Sequence, residues 1–142
     1  MILKGTDNQI VEFKIDGYQF PNAKKGSGDE DWLNVFIDVQ SNMGNWHTVD
    51  PSLTILEFRD LVQWFRDLSL DKKVDYPELY FTEPNLEFDL IKDENGIKHI
   101  KMIFEAESKP KSAEDGKEYF MEFQFSNSEL SKIADELESE IK

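Results

Sequence analysis

Glu87 and Asp89 are the acids whose spacing most suggests chemistry. They alternate with Leu86, Phe88 and Leu90, so a strand there carries both carboxyls on one face. Two positions along a strand span about 7 Å, a separation glycosidases use between acid and base. Adding His99 gives the constellation of a small acidic hydrolase or metal-dependent enzyme. Alternate acids on a solvated strand face are nevertheless commonplace, and nothing nearby completes the set. His47 and His99 both fall on predicted strands, without a second ligand at metal-binding spacing. Asp29-Glu30-Asp31 offers hard oxygen ligands but lacks the spaced set of a calcium loop. Asp93-Glu94-Asn95-Gly96 reads as turn chemistry. Cysteine is absent, which excludes disulfides, thiolate metal sites and a cysteine nucleophile. No glycine-rich phosphate loop, P-loop lysine or nucleophile elbow is present. The residues therefore point away from an enzyme, and toward no metal and no cofactor.

Binding is better supported. The 142 residues carry 30 acidic against 16 basic side chains, a net charge of −14. Such a surface repels phosphate backbones and anionic lipid and attracts basic proteins. Nucleic acid and membrane are disfavoured as partners; a basic protein is favoured. Glu87, Asp89, Glu105, Glu118 and Glu122 all fall on the polar side of predicted strands, forming with Glu12, Lys14 and Lys101 a wet, mostly acidic face. Trp32 or Phe36 could add an apolar anchor, because aromatics bury much area at little entropic cost. Trp46 and Trp64 are more simply core residues, and Tyr18 and Phe20 packing anchors in a loop. The acids Asp135, Glu136, Glu138 and Glu140 read as a solvated helix face able to assist in docking a cation.

The elements that position these residues follow from periodicity. Asp50 to Leu70 holds the clearest amphipathic helix, with Phe58, Leu61, Val62, Phe65 and Leu68 as its stripe. Thr54 and Glu57 match a capping box, and Pro51 is expected to fix the approach to the helix. Before it come strands over 10–16, over 32–40 and, after the SNMGN connection, over 46–49. Asp71 to Asp75 reads as a charged link. Beyond it a meander is expected: 86–90, a tight turn at Asn95-Gly96, a strand with Ile100, Met102, Phe104 and Ala106 facing inward, and a strand over 117–125. A final helix, capped by Ser126 with Glu129, carries Leu130, Ile133, Ala134, Leu137 and Ile141. No internal repeat stands out. The pattern predicts one α+β domain over residues 1–142: an antiparallel sheet of about six or seven strands with two helices packed on one face. The chain shows no signal peptide or membrane-spanning run, so a cytoplasmic protein is expected.

Gly17-Tyr18-Gln19-Phe20-Pro21, Asp31-Trp32-Leu33-Asn34-Val35, Trp46, Asp50-Pro51-Ser52-Leu53, Glu57 and Trp64 together resemble the WapI-type immunity proteins. These are small bacterial proteins that accompany polymorphic wall-associated toxins. The resemblance implies neutralisation of a cognate toxin domain, often a nuclease, and carries over no catalytic residue. The reading is thus a non-enzymatic binding protein that occludes a toxin's active surface. The alternatives are the carboxylate enzyme above and a module that self-associates through its aromatic hairpin.

Overall fold

Alternating apolar and polar side chains carry most of the chain into strands. A computed structural model describes residues 1–141; Lys142, the last residue of the expected domain span, lies outside them. The first half runs β1 (Ile2–Lys4), β2 (Ile10–Tyr18), β3 (Trp32–Ser41), β4 (Gly44–Thr54) and α1 (Ile55–Ser69). The second runs β5 (Glu78–Leu79), β6 (Leu86–Glu94), β7 (Ile97–Phe104), β8 (Tyr119–Ser126) and α2 (Asn127–Ser139). The class is α+β with two helices. The strands, however, form two four-stranded antiparallel sheets, β1-β2-β3-β4 and β5-β6-β7-β8, and not one sheet of six or seven. Both halves follow the same order of four strands and a helix, although their sequences betray no repeat.

The separation of the sheets has a local cause. β4 runs past the expected 46–49 segment to Thr54 and carries Pro51 within it. A strand containing proline is suited to an edge, because one ladder donor is missing. β4 then feeds straight into α1, so the next strand cannot return beside it as a hairpin. Pro51 thus belongs to the strand and not to the helix approach. It sits in a bulge: Val35 faces Asp50 and Leu33 faces Leu53, leaving Pro51 and Ser52 opposite Asn34. On the other side Ile15 faces Val35 and Tyr18 faces Leu33, so Asp16 and Gly17 also oppose Asn34. Gly17 takes φ +78°, which a side chain would strain. Both neighbours of β3 therefore kink at one residue, and the sheet bends there.

α1 bridges the two sheets. Its predicted stripe is buried, and Trp64 widens it. Phe58 stacks on Phe13 of the first sheet at 6.5 Å, while Phe65 meets Phe88 of the second edge-on at 5.8 Å. At the other end Trp46 of β4 lies edge-on to Phe104 and Tyr119, and its indole N–H donates to the Ser108 carbonyl at 2.8 Å. Both sheets and both helices consequently share one apolar cluster. α2 runs opposite to α1: Asn127 at its start bonds Asp71, just past the end of α1, and Arg66 reaches Asp135 and Glu138 further along. Both helices begin with the expected capping box, Thr54 with Glu57 and Ser126 with Glu129.

Two polar residues inside this core tie the halves together. Asn85 donates to Asp50 and Ser52 in the β4 bulge, at 2.8 and 2.9 Å, and accepts from the Glu107 N–H at 3.3 Å. Lys98 lies on the inward face of β7 with its side chain only 1% exposed; its ammonium donates to Asp71 at 2.6 Å and Asn127 at 2.8 Å. Asp71 is therefore more than a charged link. It ends α1 in the left-handed region at φ +56°, with the Lys72 N–H returning to the Asp67 carbonyl.

Candidate functional site

The outer face of the second sheet gathers most of the predicted acids. The register sets Glu78, Asp89, Lys101 and Glu122 in one row across the four strands. Glu87, Ile103 and Phe120 form the next row. Alternation forces this placement, since Phe88, Met102 and Met121 point into the core from the same strands. Lys101 is the cation of this patch. It pairs with Glu118 at 2.5 Å and sits 4.4 Å above the Phe120 ring. Ile103 is buried although it faces outward, so the patch has an apolar floor within an acidic surround.

Like charges crowd on this face. The Glu87 carboxyl is pushed up to about 8, first by burial, then by a hydrogen bond to Asp89 and by the charges of Asp89, Glu78 and Glu118. A proton on Glu87 relieves that repulsion near neutral pH. The Tyr80 hydroxyl donates to Glu78, and this bond chiefly pushes the phenol up to about 12. A protonated carboxyl beside a second acid has the chemistry of a general acid. The third member of the enzyme constellation is elsewhere. His99 lies four strand positions from Ile103, the partner of Glu87, which is about 13 Å at the rise of a strand. His99 lines a cavity of about 60 Å³ with Thr6, Glu122 and Gln124, and neither Glu87 nor Asp89 reaches it. Among the described residues no three His, Asp or Glu side chains come together to hold a metal ion.

Several predicted residues lie apart from this face. The strand expected to continue to Ala106 stops at Phe104. Ala106 then turns at φ +46° into a short 3-10 segment instead of facing inward. That turn takes Glu105 off the sheet, where Lys109 pairs with it at 3.3 Å. Glu118 immediately precedes β8 and meets the patch through its pair with Lys101 and its charge on Glu87. Trp32 and Phe36 are half-buried on the outer face of the other sheet, Phe36 between Lys14 and Val49. Glu12 and Lys14 belong to that sheet too. The expected single face was thus two faces, since one sheet had been assumed where there are two. Of the C-terminal acids, Asp135 and Glu138 are engaged by Arg66, and Glu140 accepts from the amino terminus at 3.5 Å. Glu78 and Tyr80, with exposed Tyr76 beside them, were missed. The clue available was YPELYF itself, where exposed-type aromatics bracket an acid.

A model of the immunity protein WapI-like family matches residues 1–142, the whole chain. The chain belongs to the WapI-like immunity protein family. No curated protein and no solved structure matches it. The residues that carried the family likeness have structural work in this WapI-like chain. Gly17, Asn34, Pro51 and Ser52 make the paired bulges, Trp46 and Trp64 are core, and Glu57 caps α1. None of these seven residues lies on the acidic face. Among the described residues no helix is long and apolar enough to cross a membrane.

Proposed function

We propose that this chain neutralises a cognate toxin domain by covering its active surface, without chemistry of its own. The whole-chain family match carries this reading. The acidic face gives it a physical route: Glu87, Asp89, Glu118 and Glu122, with Glu78, surround one lysine and an apolar floor of Ile103 and Phe120. A toxin surface that binds nucleic-acid phosphates is basic, and carboxylates can occupy it in their place. Such attraction raises the association rate, while the apolar floor supplies contact that persists in salt. Trp32 and Phe36 lie on the other sheet, and Glu105 just past the end of β7.

The direct test is co-purification with the C-terminal domain of the toxin encoded beside this gene. A one-to-one complex that abolishes toxin activity, and whose association slows with added salt, is expected. Glu118→Lys with Glu122→Lys should slow association at least tenfold. A complex indifferent to both salt and charge reversal, or the absence of any complex, would refute the proposal.

A further inference from the structure

The segment that the sequence left unread closes a groove against α1. Asp60, Trp64 and Asp67 of the helix face Asp75, Tyr76 and Tyr80 across an open cavity of about 460 Å³. The Trp64 indole N–H donates to the Tyr76 carbonyl at 2.9 Å, which holds the segment at a fixed distance from the helix. Phe65 and Phe88 pack against the Trp64 ring and fix its orientation. Glu57 fastens the far end of the segment, accepting from the Thr82 N–H at 2.6 Å. The groove is therefore built and braced.

Its chemistry is one-sided. No lysine or arginine lines it, and among the described residues none pairs with Asp60, Asp67, Asp75 or Glu78 within 4 Å. Tyr76 and Tyr80 are 70% and 62% exposed, large aromatic areas left open to solvent beside carboxylates that have no cation among the described residues. The Asp67 carboxylate accepts from the Gln63 amide, at 2.7 Å, and Glu78 from Tyr80. Carboxylates together with aromatic faces are the two features that recognise a guanidinium: bidentate hydrogen bonds in its plane and stacking above it. Glu78 and Tyr80 also link the groove to the acidic sheet face, since β5 pairs with β6 at Asp89.

We infer that this groove receives an arginine side chain of the protein partner, as the second contact of the surface proposed above. The inference rests on the binding reading, but its test does not need the toxin. The chain has three tryptophans, so ¹⁵N-labelled protein gives three indole signals, of which only that of Trp64 reports on the groove. The probe is an acetylated, amidated pentapeptide with two arginines between glycines, titrated beside the same peptide carrying citrulline. The arginine peptide should shift the Trp64 indole and leave that of Trp46 in place, and the citrulline peptide should do neither. Asp60→Asn with Asp75→Asn should weaken the response at least tenfold, whereas Asp115→Asn, in an exposed turn outside both surfaces, should leave it unchanged. Equal shifts with citrulline, shifts confined to the Lys101 and Glu122 amides, or no shift at Trp64 at millimolar peptide would each overturn the inference. None of those results bears on whether the toxin complex forms, which is measured separately.

Discussion

Lys98 and Asp71 form an asymmetric pair, and the asymmetry predicts which substitution is worse. The Lys98 side chain is 1% exposed while that of Asp71 is 67% exposed. Removing the ammonium leaves a carboxylate that water can solvate at once. Removing the carboxylate's charge leaves a buried ammonium facing Asn127 and Asp93, the latter at a looser 3.7 Å. Lys98→Met keeps the buried stem and loses the two charge-assisted bonds to Asp71 and Asn127, about 1–2 kcal/mol once the relief of desolvation is counted. Asp71→Asn keeps the left-handed backbone acceptable yet leaves the buried ammonium with no close carboxylate, so it should cost more than Lys98→Met. In the double variant no stranded charge remains, so its cost should return to that of Lys98→Met alone. Urea unfolding at pH 7, followed by tryptophan fluorescence, resolves these differences; in thermal melts 1 kcal/mol is about 3 °C for a chain of this size. An Asp71→Asn cost at or below that of Lys98→Met, or strict additivity in the double variant, would refute the argument.

Because the folded Glu87 carboxyl sits near 8, well above its ordinary 4.5, the native state holds an extra proton between those values, and stability falls as pH rises across that window. Glu87→Gln should flatten the slope, gaining about 1 kcal/mol at pH 8 and almost nothing at pH 4 after solvent screening; an unchanged slope in pH-dependent melts would contradict it. Asp71 acts in the opposite sense. The Lys98 hydrogen bond holds its carboxyl below 3.8, so its contribution is full above that value and disappears as acid protonates it. Glu57 and Glu129 occupy equivalent capping boxes, but only Glu57 also accepts from Thr82. Glu57→Ala should therefore cost about 1 kcal/mol more than Glu129→Ala, with faster amide exchange at Thr82; equal costs would argue against the brace.

Much of the local structure was legible because it depends on neighbours in sequence. The α1 stripe, both capping boxes and the inward series Val11, Phe13, Ile15 and Leu33, Val35, Ile37, Val39 are properties of period and spacing. The Glu87–Asp89 juxtaposition was legible for the same reason. β1 and β5 were not, since three- and two-residue strands carry too little alternation to stand out. Lys98 shows the limit from the other side: a lysine on the apolar parity of β7 looks like an interruption until α1 and α2 bring Asp71 and Asn127 to it.

By itself, then, the amino-acid sequence determined the class, the helix faces, the strand parities, the family and the negative charge. The class, faces and parities follow from side-chain chemistry repeated at fixed intervals, the charge from composition, and the family from resemblance to known motifs. Tertiary structure alone decided that the strands divide into two sheets, and hence that Trp32 and Phe36 part company with Glu87, Asp89 and Glu122. It also decided that an unremarkable stretch around Tyr76 to Tyr80 walls a groove with α1. Those outcomes depend on which edges pair and which faces meet across long separations, and no periodicity within a segment encodes them.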